Sequence, residues 1–190
     1  MIDFNEERHL YTVGGNIIPS VTQIICHNKA NFYKDNGADR VGTIVHRLLQ
    51  DYDTGLDVDF YGDHYLGYLE HYREILSELQ IGKFTHVEAK LYHEGLQYCG
   101  TVDRAIDGVL VADIKTGTAV PTWAALQTAA YAMALYPKDY LSVKRMVFHI
   151  NPKKLKKPKV KTYSDPADFK TWEALCSYYH KDMREREERK

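Results

Sequence analysis

The stretch "CGTVDRAIDGVLVADIKTG", Cys99 to Gly117, decides how the rest of the chain is read. Its alternating apolar residues predict two β-strands around a turn at Asp107 and Gly108. Within those strands stand Asp103, Asp113 and Lys115, where apolar residues would pack at lower cost. In the second strand Asp113 and Lys115 are two residues apart and share a face with Val111, while Leu110, Ala112 and Ile114 take the other. A two-residue turn would set Asp103 against Ala112, with the two aspartates on opposite faces. A three- or five-residue loop, or a bulge, returns them to one face, and such an irregularity is expected here.

Working upstream, "FTHVEAKLYHE" predicts a further strand joined through "GL". If Gly95 and Leu96 form the turn, Glu94 pairs with Gln97 and Glu88 falls opposite Asp103. Opposed carboxylates lie about 5 Å apart, which is destabilising unless a cation or a proton sits between them. Three converging carboxylates offer hard oxygen donors, suited to Mg²⁺ or Mn²⁺ rather than zinc. An ion held there would polarise a phosphoryl oxygen, and Lys115 stands one pleat away to orient the attacking water. The bland reading makes Asp103–Arg104 and Asp113–Lys115 surface ion pairs on a wet sheet face. Asp107, followed by Gly108, is explained by turn chemistry alone.

The remaining pattern supplies a framework. "HLYTVGGNIIPSVTQII" predicts a hairpin about "GGN" and a short helix from Val21 to about His27, capped by Ser20. From Gly37, "GADRVGTIVHRLLQDY" places Val41, Ile44, Val45, Leu48 and Leu49 on one helical stripe with His46 beside it. "DHYLGYLEHYREILSELQ" predicts a second amphipathic helix, ended by Gly82. "TWAALQTAAYAMALY" is nearly free of charge and predicts a helix buried against the sheet, stopped by Pro137. "VKRMVFHI" predicts a strand, "NPKKLKKPKVK" a basic loop, and "ADFKTWEALCSYYHKDMREREERK" a closing helix.

The 190 residues, 44% hydrophobic and 12% aromatic, suffice for one sizeable core. A single domain is expected, made of an N-terminal hairpin and helices (1–82), a core (83–150), and a basic loop with a C-terminal helix (151–190). The formal charge is -1 from 25 basic and 26 acidic residues, so attraction to nucleic acid must come from uneven placement. Cys26, Cys99 and Cys176 are scattered, which argues against a disulfide framework or a zinc knuckle and fits a reducing cytoplasm. No apolar run reaches the ~20 residues of a membrane span, so a cytoplasmic location without membrane contact is expected. The other histidines, including His9, lack paired ligand spacing. Trp123 and the many tyrosines read chiefly as packing residues.

"GTVDR", "DIKTG" and "QTAAY", preceded by "GTIVH", occur in an order that resembles the PD-(D/E)XK nuclease superfamily, RecB-like branch, over Gly42 to Tyr131. "IPSVTQII" adds a weaker resemblance to phage exonucleases and mitochondrial genome-maintenance exonucleases. The resemblance implies an α/β, restriction-endonuclease-like core: a central mixed β-sheet with an antiparallel meander, flanked by helices. By position, His46 resembles the histidine of the metal site, Asp103 and Asp113 its carboxylate ligands, and Lys115 the catalytic lysine. Ile114 would lend its backbone carbonyl. Glu88 matches no motif and joins the site through the register count alone. Gln127 and Tyr131 resemble the Q-x-x-x-Y element and, four apart on a helix, would share a face toward DNA and the active site.

These likenesses imply a Mg²⁺- or Mn²⁺-dependent DNA nuclease, an exonuclease of phage or prophage type acting on single-stranded DNA or a free end. Three scattered cysteines exclude the four-cysteine iron-sulfur cluster of some relatives. The alternative is a non-cleaving nucleic-acid-binding protein of the same fold. Six lysines, Lys153, Lys154, Lys156, Lys157, Lys159 and Lys161, fall within nine positions. They read either as a phosphate-neutralising patch or as a solvated loop. No residue pattern specifies an oligomeric state.

Overall fold

The computed structural model describes residues 1–5, 8, 10–27 and 38–189, with the backbone alone for Ala38 and Asp39. His9 and Gly37 lie outside the described residues. Eight strands and five α-helices follow one another as β1 (Ile2–Asn5), β2 (Leu10–Val13), β3 (Asn16–Ile18), α1 (Val21–Cys26), α2 (Ala38–Thr54), α3 (Asp63–Glu78), β4 (His86–His93), β5 (Tyr98–Ile106), β6 (Leu110–Lys115), α4 (Ala124–Leu135), β7 (Lys144–His149), β8 (Lys159–Tyr163) and α5 (Ala167–Glu188). Strands β4 to β8 form a mixed sheet in sequence order, and β1 to β3 a small antiparallel sheet. Within the five-stranded sheet β6 and β7 are the parallel pair, because α4 carries the chain back across the sheet between them.

The fold is α/β, a five-stranded mixed sheet flanked by helices on both faces. One apolar cluster joins Val45, Leu48 and Leu49 of α2 and Leu69, Tyr72 and Ile75 of α3 to Leu110, Ala112, Ile114 and Phe148. The other joins Val21 and Ile24 of α1, Ala129 to Met133 of α4, and Phe169, Trp172 and Cys176 of α5 to Val102, Ala105 and Val111. Burial from both sides explains why β6 reads as a nearly continuous apolar run. Among the described residues no helix is long and apolar enough to cross a membrane.

Local chemistry sets the boundaries. Ser20 caps α1 by accepting from the Gln23 backbone N–H at 3.1 Å, and the Gln23 side chain accepts from the Ser20 N–H at 2.8 Å. Helix α3 ends earlier than Gly82: Gln80 takes the left-handed conformation, with Ile81 N–H bonded to Leu76 O and Gln80 N–H to Ser77 O. This is a Schellman ending with glutamine in the usual glycine place. The small sheet contains β1, which the hairpin reading lacks, and it meets β5 through Cys99 N–H to Pro19 O and through Tyr11 Oη and Thr101 Oγ1 at 2.7 Å.

The basic segment also differs from the loop expected of it. Lys159 and Lys161 belong to β8, which pairs antiparallel with β7. Lysines on an edge strand are a common guard against pairing with other chains, so their charge hid a strand. Of the other four, Lys153 Nζ lies 3.0 Å from His64 Nε2 and Lys157 Nζ 3.7 Å from Glu74 on α3.

Candidate metal centre

The site forms where the meander loses its regularity. The β4–β5 ladder runs from His93–Tyr98 back to His86–Ala105 in the register that sets Glu88 opposite Asp103, but that one pair is missing from the ladder. Glu88 has φ +48, a left-handed conformation costing about 1–2 kcal/mol for a non-glycine residue. In the turn the left-handed residue is Gln97, not Gly95.

The β5–β6 connection is a three-residue loop, Asp107 to Val109, with Gly108 at φ +65. It gives the pairs Ile106–Leu110, Ala105–Val111 and Arg104–Ala112. The extra residue shifts the count by one from a two-residue turn, so Asp103 is set toward Asp113. The ladder stops there. Asp103 Oδ2 accepts the Ile114 backbone N–H at 2.6 Å, standing in for the next ladder bond. Ile114 thus meets Asp103 through its N–H, while its side chain packs in the apolar cluster under α2 and α3.

Helix α2 brings His46 over the open end of the ladder. His46 Nδ1 lies 3.3 Å from Glu88 Oε1 and 3.6 Å from Asp103 Oδ1. One ligand atom from each of His46, Glu88 and Asp103 lies within 4.8 Å of the others. Gly42, one turn earlier, would place a Cβ 3.6 Å from Thr116 Oγ1, an ordinary contact.

Asp113 and Lys115 make the other half. Lys115 Nζ lies 3.0 Å from Asp113 Oδ1 and 2.9 Å from Oδ2, yet only the first contact has hydrogen-bond geometry, leaving buried Oδ2 without a hydrogen bond. Lys115 also donates to Gln127 Oε1 at 3.0 Å and sits 5.1 Å from the centre of the Trp123 ring. Gln127 Nε2 in turn donates to Tyr131 Oη at 2.8 Å. Gln127 and Tyr131 share a face of α4 as expected, but are only 6% and 4% exposed. That face packs on the sheet, so Gln127 reaches Lys115 and Tyr131 reaches Gln127, both away from solvent. Gly100 makes room for the ring: a Cβ there would stand 2.9 Å from Tyr131 Cε1.

Burial excludes the surface-ion-pair reading of both aspartates. Asp103 is 7% and Asp113 1% exposed. Desolvation raises the pKa of Asp113 to about 6, with the Asp103 charge adding to it and Lys115 opposing. Desolvation also raises Asp103, Glu88 adding and His46 opposing. For His46 burial disfavours the charged ring, but the charges of Asp103 and Glu88 outweigh it and raise the pKa to about 9. Carboxylates whose charge burial disfavours, a buried oxygen lacking a hydrogen bond, and an imidazole among them make a donor set that fits a hard divalent cation.

Sequence reading missed Arg104, Asp53 and Tyr72. Arg104 is fully buried and donates to Asp53 Oδ2, Tyr72 Oη, Glu88 Oε1 and the Asp103 carbonyl. Two signals were present: Arg104 adjoins Asp103, and Asp53 follows His46 by seven residues, two turns along the same helix face. His149 and Asn151 were also passed over. They hold the turn after Lys115, His149 Nε2 lying 2.8 Å from Gly117 O and Asn151 Nδ2 donating to Thr116 O at 2.7 Å.

No family model and no curated protein sequence matches the chain. Among solved structures, a protein from Eubacterium rectale described as a "Putative exonuclease" aligns with a TM-score of 0.45 at 11% identity, covering 76% of this chain and 65% of that one. The chain therefore spans less than two thirds of that protein's length, and the likeness is a loose one.

Proposed function

We propose that this chain is a Mg²⁺- or Mn²⁺-dependent deoxyribonuclease that hydrolyses phosphodiester bonds, an exonuclease working from single-stranded DNA or a free end. The observation that carries the reading is the convergence of His46, Glu88 and Asp103 within 4.8 Å at the interrupted ladder, with Asp113 and Lys115 on the adjoining strand. The motif resemblance over Gly42 to Tyr131 supports it independently.

His46, Glu88, Asp103 and Asp113 would hold the cation, which when bound supplies Lewis-acid polarisation of a phosphoryl oxygen and neutralises charge on the leaving oxygen. Lys115 is tethered between Asp113 and Gln127, so its ammonium would stand beside a phosphate bound at the centre and would orient water for in-line attack. Tyr131 and Gln127 form the chain of contacts that aims it. Lys153, Lys154, Lys156 and Lys157 would neutralise phosphates on the flanking DNA.

The test is digestion of end-labelled single- and double-stranded DNA, and of closed circular DNA, with Mg²⁺ or Mn²⁺. Asp113→Ala and Lys115→Ala should each lose cleavage by about a thousandfold or more, and circular DNA should survive. Wild-type rates in both folded variants would refute the site, cut circles would refute the exonuclease, and retention of DNA without cleavage would favour a binding protein.

A further inference from the structure

Arg104 is buried to 0% exposure in the middle of β5, a place where an unpaired guanidinium would be very costly. Its partners come from four elements. Nε donates to Asp53 Oδ2 of α2 and, at 3.2 Å, to Tyr72 Oη of α3, while Tyr72 Oη itself donates to Asp53 Oδ2 at 2.8 Å. Nη1 donates to the Asp103 carbonyl at 2.6 Å and to Glu88 Oε1 at 3.0 Å. One nitrogen thus clamps both ligand-bearing residues at the missing ladder pair. The guanidinium takes the part that backbone hydrogen bonds take elsewhere along β4 and β5.

We propose that Arg104, anchored by Asp53 and Tyr72, is the positioning residue that holds the Glu88 carboxylate at the metal centre. This rests on the cation-dependent reading above. Glu88 occupies a left-handed conformation that nothing local favours, and its carboxylate oxygen is fixed between Arg104 and His46. A planar fork whose Nε is pinned by two partners has little freedom of direction, so Nη1 points where the fold puts it. A lysine would carry the same charge without the fork. Groups that orient ligands in this way typically change metal affinity by 10- to 100-fold when altered.

The experiment is a double-mutant cycle on Mn²⁺ affinity, read by electron paramagnetic resonance and calorimetry on the intact chain without DNA. Arg104→Lys should weaken Mn²⁺ binding about tenfold, and Glu88→Gln should weaken it as well. In the Glu88→Gln background Arg104→Lys should have no further effect, because the carboxylate it positions is gone. Tyr72→Phe removes one anchor and keeps Arg104, so it should give a smaller loss with the same dependence on Glu88 if Arg104→Lys does not fold. Equal losses with and without Glu88, or no loss in folded variants, would overturn the positioning role alone. Absence of Mn²⁺ binding by the wild type would overturn the metal centre, and this inference with it.

Discussion

Two buried arginines stand on strands of the same sheet, and their surroundings separate support from function. Arg145 on β7 is 2% exposed; its nitrogens donate to the Ala125 and Asp165 carbonyls and to Asp168 Oδ2, and the guanidinium lies 4.5 Å from the Phe169 ring centre. Those partners sit at the starts of α4 and α5, so Arg145 fastens two helices to the sheet. Arg104 on β5 joins instead two carboxylates, a tyrosine and the Asp103 carbonyl, next to a histidine that touches the same glutamate. Residue type and burial are equal in the two cases. What differs is whether the partners lie at the starts of helices or at the candidate metal centre.

The largest effect expected from this contrast is on stability. Arg145→Met should cost about 3 kcal/mol in urea unfolding, since it strands two carbonyls and a carboxylate, while leaving Mn²⁺ affinity unchanged. A change in affinity would show that the two arginines are not divided as described.

Next comes pH. His46 is raised from 6.5 to about 9, so its stabilising contribution is complete below pH 6.5 and is lost as pH rises through 9. Metal-free protein should therefore lose on the order of 2 kcal/mol between pH 6.5 and 9, and His46→Gln should flatten that window. The raised Asp113 acts elsewhere: the fold binds its proton between pH 3.8 and about 6, so its ionisation costs stability as pH rises through that lower range. Mn²⁺ held by His46 as proposed would displace its proton, so affinity should rise with pH up to about 9, measurable as proton release in calorimetry.

A smaller effect tests the Lys115 side of the centre. Gly100→Ala would press a methyl group against the Tyr131 ring at 2.9 Å and Val21 Cγ2 at 3.3 Å. It should cost about 1–2 kcal/mol by thermal unfolding, with Mn²⁺ affinity changed less than cleavage. The smallest belongs to Gly42→Ala, which has room beside Thr116 and should stabilise α2 by about 0.5 kcal/mol. A loss there would mean that α2 needs a closer approach to Thr116 than an alanine allows.

Much of the framework was legible because it follows from local periodicity. The stripe Val45, Leu48, Leu49, the capping by Ser20 and the charge-poor helix α4 each declare themselves within a few residues. The same holds for the count that places Glu88 opposite Asp103. Lys159 and Lys161 concealed β8, and Gln80 and Gln97 took left-handed places where glycine was expected, because such residues adopt those conformations only when neighbouring structure compensates. Gln127 and Tyr131 show the limit of a shared face: spacing puts them together, but only the packing of α4 on the sheet buries them and sets Gln127 against Lys115.

By itself the sequence determined which residues are acidic, which are paired by alternation, and that Asp103 and Asp113 could share a face only if the turn between them were irregular. Only the tertiary structure decided that the irregularity is a three-residue loop, that β5 parts from β6 at Asp103, and that α2 and α3 bring Asp53, Tyr72 and His46 to the gap. The physical reason is range. Periodicity and turns are fixed over a handful of bonds, whereas a buried charge finds partners that are close in space and far along the chain, 51 residues apart for Arg104 and Asp53.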